Sequence, residues 1–211
     1  MKMKRKIISR ILLVVTILAV VGTSIKITPI VTEGYMMYKE AVKKTDLEAA
    51  IEAVRSDKDY VTIDQISNLF LEEVVESEDR RFYSHGGIDL FATVRAMFRN
   101  IEAGSFVEGG STITQQLAKN LYFSFEKKYE RKVAELFVAM DLEKMLSKDE
   151  ILELYCNIAY FGEGCYGLKE AANHYYGVEA LELSNEQVDA LVWTLKSPNN
   201  YNPNVYEGVI L

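Results

Sequence analysis

This chain of 211 residues contains only two cysteines, three prolines and twelve glycines. Cys156 and Cys165 are too few for a disulfide framework and have no zinc-ligand companions. They either pair with each other in an oxidising compartment or serve as small buried hydrophobes. The low proline and glycine content excludes a collagen-like repeat, and a 49% hydrophobic composition excludes intrinsic disorder. Period-two apolar patterns are scarce, and no repeat or low-complexity segment is present. Basic residues are outnumbered, 24 against 31 acidic, for a net charge of −7. Five of them (Lys2, Lys4, Arg5, Lys6 and Arg10) lie in the first ten residues, so the remaining 201 carry 19 basic against 31 acidic groups. An acidic body is wrong for a nucleic-acid binder, which needs Lys and Arg to release phosphate counterions. Any anionic substrate must be held by a local basic cluster.

A long hydrophobic run is also missing. The stretch from Ile11 to Val21, ILLVVTILAVV, is extended by Ile7, Ile8 and Ile25 and bounded by Arg10 and Lys26. It reaches about 15 residues where a spanning helix needs roughly 20, and snorkelling Arg and Lys lengthen the effective span. The expected organisation is a basic cytoplasmic tail at 1–10, a single transmembrane anchor at 11–25 and an extracytoplasmic body, by the positive-inside rule. A cleaved secretory signal is the alternative. Residues 26–61 read as a membrane-proximal linker, with a helix over Met36 to Val54, and 62–211 as the main domain.

What the body does have is helix punctuation. Asp89 can cap a helix bearing Leu90, Val94, Met97 and Ile101 on one face and ending at Gly104. Val133, Leu136, Phe137 and Met140 form a second apolar face. Ser147 with Glu150, and Ser184 with Gln187, are capping boxes ahead of Ile151, Leu154, Tyr155 and Ile158, and of Val188, Leu191, Val192 and Leu195. The body is predicted to be all-α.

Three stretches break this grammar. Residues 78–87 (EDRRFYSHGG) place carboxylates, guanidiniums and an imidazole within ten positions. Residues 109–116 (GGSTITQQ) form a glycine–hydroxyl loop entering a polar helix start, where amides and hydroxyls can hold phosphate oxygens. Lys119, Lys127, Lys128, Arg131 and Lys132 then form a basic cluster in an acidic protein. Each stretch alone is consistent with an ordinary solvated surface. Together, behind a membrane anchor, they suit a lipid-linked, phosphate-bearing substrate.

These residues resemble the peptidoglycan glycosyltransferases, glycosyltransferase family 51, in their monofunctional membrane-anchored form. The resemblance covers residues 62–203 and five motifs in order. The first is Glu78, Asp79, Phe82, His85 and Gly87, and the second runs from Gly109 through Ser111, Thr112 and Ile113 to Gln115 and Gln116. The third is Arg131, Lys132 and Glu135, the fourth Lys148, Ile151, Leu152, Tyr155 and Asn157, and the fifth Lys196, Pro198, Tyr201 and Pro203. Lys127 stands where some relatives carry arginine, keeping the charge without the bidentate fork. Cys156 replaces a leucine common in the fourth motif.

The resemblance implies a lysozyme-like helical fold with a small membrane-proximal lobe, and glycan polymerisation from lipid II. It implies catalytic roles for Glu78, as general base, and for Glu135. Substrate binding would fall to Asp79, Phe82, Gly110, Ser111, Thr112, Gln115, Gln116, Lys119, Lys127, Arg131 and Lys132. His85, Tyr155, Asn157, Pro198 and Tyr201 would support the site, and His174 is expected to be structural. A divalent metal (Mg or Mn) bridging the phosphates is the candidate cofactor, with no organic cofactor. Expected partners are the nascent glycan chain, the bacterial membrane, cell-wall synthesis or divisome proteins, and moenomycin-type inhibitors. The family domain usually continues beyond the point where this chain ends, so a truncated, inactive lipid II-binding module is one rival reading. A lysozyme-like muramidase is the other.

Overall fold

The computed structural model describes residues 2–105, 107–123 and 128–205, with side-chain surroundings from residue 24 onward. Among the described residues ten α-helices follow one another: α1 Lys2–Lys44, α2 Leu47–Arg55, α3 Asn68–Glu78, α4 Leu90–Ala103, α5 Ile113–Tyr122, α6 Tyr129–Met145, α7 Lys148–Ile158, α8 Leu168–Tyr176, α9 Asn185–Lys196 and α10 Pro198–Tyr201. Among the described residues there is no strand, only an isolated antiparallel bridge between Tyr160 and Tyr166. The protein is all-α, as its patterning predicts.

The helix expected over Met36 to Val54 is two helices. α1 continues from Lys2 through Pro29 to Lys44, and the chain then turns at Asp46, whose carboxylate accepts the Ala49 N–H at 2.8 Å and starts α2. Both lie on the body. Tyr35 and Tyr38 of α1 meet Phe137 of α6 at ring-centroid distances of 5.1 and 5.4 Å. The Tyr38 hydroxyl donates to Asp141 at 2.6 Å, and this bond, with burial, pushes the phenol up to about 12. α2 buries Leu47, Ala50 and Ile51, and Arg55 pairs with Glu150 of α7 at 3.1 Å.

This packing explains α6. Its predicted apolar face of Val133, Leu136, Phe137 and Met140 is only partly covered, whereas Ala134, Glu135, Val138, Ala139 and Leu142 are buried. α6 is therefore central. One side enters the core and the other is overlaid by α1. Around it Phe70, Val74, Ile113, Leu117, Ile151, Leu154, Tyr155, Phe161, Leu168 and Leu191 close a single core.

The capping boxes at Ser147 and Ser184 form as expected, and Thr112 with Gln115 makes another at the start of α5. α4 also has its predicted ends, Asp89 accepting from Ala92 N–H and Gly104 in the left-handed conformation. Its apolar face, however, points outward. Leu90, Phe91, Val94, Met97, Phe98 and Ile101 are all exposed, and only Ala96 is buried. Among the described residues no helix is long and apolar enough to cross a membrane. The run Ile11–Val21 lies where side-chain surroundings are not described.

Candidate active site

α3 ends at Glu78 because Asp79 leaves helical geometry at φ −158°. The chain then folds back as a tied loop. Asp79 Oδ1 meets His85 Nε2 at 2.7 Å, and Oδ2 accepts the Ile113 N–H at 3.0 Å, at the start of α5. A carboxylate at a helix N-terminus satisfies a backbone donor and faces the positive end of the helix dipole. Arg81 grips Asp89 through Nε at 2.9 Å and a second, Nη2 contact, and this holds the Asp89 carboxyl below the usual carboxylate range. Gly87 lies on α6 where a Cβ would come within 2.8 Å of the Ala139 carbonyl carbon and oxygen, so the motif glycine permits a close backbone approach. The Thr112 hydroxyl donates to the Gly87 carbonyl at 2.8 Å, tying this loop to α5.

Glu78 points into a cleft of about 1180 Å³. Its side chain is only 10% exposed. Oε2 accepts from Gln116 Nε2 at 2.9 Å, and Gln116 Oε1 accepts the Tyr155 hydroxyl at 3.3 Å. Lys196 Nζ, which also donates to the Ser77 carbonyl at 2.6 Å, stands 2.7 Å from Oε1. That separation makes an ion pair, but the alignment is not that of a hydrogen bond. Oε1 is thus a buried oxygen without a hydrogen-bond donor among the described residues. Buried polar atoms in this state are rare, and active sites are one place they are found.

Farther along the cleft is Glu135, fully buried on α6. Arg131 Nη1 contacts its Oε1, and Lys132 Nζ lies 2.8 Å from Oε2 and donates to Ser111 Oγ at 2.7 Å. Between the two carboxylates lies Lys119, one turn beyond Gln116 on α5. Burial first, then the nearby Arg131 and Lys132 charges, lower its pKa against the opposing pull of Glu135 and Glu78. The opposite wall belongs to α4, where Arg95 and Arg99 pair with Glu108 at 2.7 and 3.5 Å.

The structure therefore gathers Glu78, Gln116, Lys119, Ser111, Gly110, Arg131 and Lys132 at one cleft. Lys127 lies outside the described residues. Asp79, Thr112, Gln115 and Glu135 line the same cleft while making contacts of their own. Phe82 is fully buried beneath the Lys148 ammonium, 4.4 Å from its ring centroid. Asp79, Thr112 and Gln115 are buried, the first tied to His85 and Ile113, the other two to each other as a capping box. Glu135 is sealed under Arg131 and Lys132, so its contacts are with the cations. Asn157 bonds both the N–H and C=O of Val61 at 2.8 Å, splinting the chain onto α7. His174 faces Glu163 at 2.8 Å, away from the cleft. Cys156 and Cys165 are buried free thiols, and burial raises both.

Two cleft residues were not singled out from sequence. Lys196 was read only as a motif position, although a basic residue one turn from a helix end has the reach to meet a carboxylate. Trp193 sits at an apolar helix position with nothing in the sequence to show that it faces a cleft.

Asp79, His85 and Asp89 converge within 4.8 Å, yet their ligand atoms are already matched to one another, to Arg81 and to the backbone. Glu135 has both oxygens on cations.

A helical cleft that sets a largely buried carboxylate beside a group of cations has the groups needed to bring a hydroxyl to an anionic, activated group. The chain belongs to the Transglycosylase family, whose profile matches residues 45–209. It is similar to the biosynthetic peptidoglycan transglycosylase of Alcanivorax borkumensis, 48% identical over 145 residues, which are 69% of this chain and 59% of that protein. It is also similar to penicillin-binding protein 1A of Aquifex aeolicus, 46% identical over 144 residues, 68% of this chain and 20% of that protein. Penicillin-binding protein 1F of Bacillus subtilis is 42% identical over 147 residues, 70% of this chain and 21% of that protein. The chain thus spans about a fifth of the length of these penicillin-binding proteins.

Proposed function

We propose that this protein is a peptidoglycan glycosyltransferase that polymerises glycan from lipid II. The observation that carries the reading is the Glu78 carboxylate, 10% exposed and ion-paired with Lys196, lining one cleft with Lys119, Arg131 and Lys132. A sugar hydroxyl is a poor nucleophile at neutral pH and needs a positioned base. The acceptor 4-hydroxyl gives its proton to Glu78 Oε1 while its oxygen bonds to the donor's anomeric carbon. The bond from that carbon to the lipid pyrophosphate breaks, and the configuration inverts from α to β. Lys119, Arg131 and Lys132 stabilise the charge that develops on the leaving pyrophosphate.

Glu135 is a positioning residue in this scheme. With both oxygens on cations and no exposure, it aims Arg131 and Lys132. The same sealing tells against a muramidase, which needs two cleft carboxylates roughly 5–9.5 Å apart. The basic tail at 1–10 and apolar run at 11–25 support a single-pass anchor with the cleft outside the cytoplasm. The exposed apolar stripe of α4 supports a cleft edge resting on the bilayer from which a lipid-linked substrate enters.

The test is polymerisation of labelled lipid II by the full chain in detergent, beside Glu78→Gln. Wild type should make glycan and release undecaprenyl pyrophosphate, and the variant should lose at least about 100-fold in rate. Retention of most activity by Glu78→Gln would refute the base assignment. Glycan cleavage in place of synthesis would establish the muramidase.

A further inference from the structure

Beyond Glu78, on the Lys196 side of the cleft, lies an aromatic surface. Trp193 of α9 and Tyr201 of α10 both line the cleft, and their rings stack at 5.2 Å with 24° between planes. Trp193, the only tryptophan in the sequence, is 38% exposed. Trp193 and Lys196 are three residues apart on one helix and so share a face. Lys196 in turn touches Glu78 Oε1. Gln116, with Lys119 one turn on, meets one Glu78 oxygen, and Lys196, with Trp193 one turn back, stands at the other.

The surface is rigid. Thr194, fully buried, has its hydroxyl 3.1 Å from the Tyr201 carbonyl and 2.7 Å from that of Ala190, fixing α10 against α9. Asn202, also buried, donates to the Pro198 carbonyl at 2.9 Å and accepts the Asn204 N–H at 3.1 Å, locking the turn that carries Tyr201. A preorganised aromatic face loses little freedom when a ligand stacks on it.

We propose that Trp193, backed by Tyr201, is a sugar-binding subsite that stacks on the pyranose face of an uncharged N-acetylhexosamine on the acceptor side of Glu78. This rests on the glycosyltransferase reading, which puts the pyrophosphate at the cations and the attacking hydroxyl at Glu78. A ring beyond that hydroxyl, on the Lys196 side, belongs to the acceptor. An apolar sugar face on an aromatic ring positions the hydroxyl without adding charge beside the Lys196–Glu78 pair.

Because Trp193 is the only tryptophan, its emission reports on this site alone. The full chain in detergent is titrated with tetra-N-acetylchitotetraose, which has neither lipid nor phosphate. A saturable change in tryptophan emission is expected; no change up to the solubility limit overturns the proposal. In lipid II polymerisation, Trp193→Ala should raise KM about 3- to 10-fold with kcat little changed, and Trp193→Phe should restore most of the loss. A Trp193→Ala enzyme with wild-type KM, its fold verified by circular dichroism, also overturns it. A saturable emission change in a protein that makes no glycan keeps the sugar subsite and removes the polymerase reading instead.

Discussion

Replacing Glu135 by Gln tests whether this sealed carboxylate holds the phosphate-binding cations. Glutamine keeps the shape and one acceptor oxygen but removes the charge. Arg131, whose side chain is 15% exposed, then loses its counter-charge in a dry setting, and breaking such a buried pair costs about 3–5 kcal/mol. Lys132 is 42% exposed, so solvent screening limits its share to about 1 kcal/mol at most. The amide oxygen recovers about 1 kcal/mol as a hydrogen-bond acceptor. The expected loss is therefore roughly 2–5 kcal/mol, which lowers Tm by about 4–20 °C for a chain of this size. Thermal unfolding in detergent, followed by far-ultraviolet circular dichroism, measures it. At a temperature where the variant is still folded, polymerisation should fall about 100-fold, because cations shifted by an ångström no longer meet the leaving pyrophosphate. An unchanged Tm would show that the pair contributes nothing to stability. A normal rate in the folded variant would refute the positioning role.

Lys119 should show the opposite trade. Its lowered pKa means that the unfolded chain binds the proton more readily than the folded one, so wild-type stability rises with pH between the lowered value and that of an ordinary lysine. Lys119→Met should therefore be more stable than wild type at neutral pH, with the gain shrinking as pH climbs through that window, while polymerisation falls. Urea unfolding at pH 7 and pH 10 reads the difference, and a gain that is constant with pH would contradict the burial argument. Gly87→Ala should cost about 1–3 kcal/mol, because the added carbon meets backbone of α6 at 2.8 Å and something must shift. A urea midpoint equal to wild type would show that the loop has room.

Much of this molecule is legible along the chain because the governing interactions are local. Caps at Asp89, Ser147 and Ser184 act within one turn, and the five motifs lie in a readable order, so the all-α class, the family and the cleft carboxylate could all be read before any coordinates. The apolar pattern of α4 was equally legible, but a pattern says only that a face is apolar, not what covers it. The same holds for α6, whose two apolar sides required both a core and α1 to explain them. Residue type in a motif also cannot separate a group that meets substrate from one that holds another residue in place. Phe82, Asp79, Thr112, Gln115 and Glu135 each make contacts with neighbouring residues that the motif alone does not show.

The sequence by itself thus determined the all-α class, the helix caps at Asp89, Ser147 and Ser184, and the family. Tertiary structure alone decided that Lys196 reaches Glu78 across 118 residues of chain and that Trp193 faces the cleft. Those facts depend on how α3, α5, α6 and α9 lie against one another, and helix packing is set by non-local contacts that no local pattern encodes.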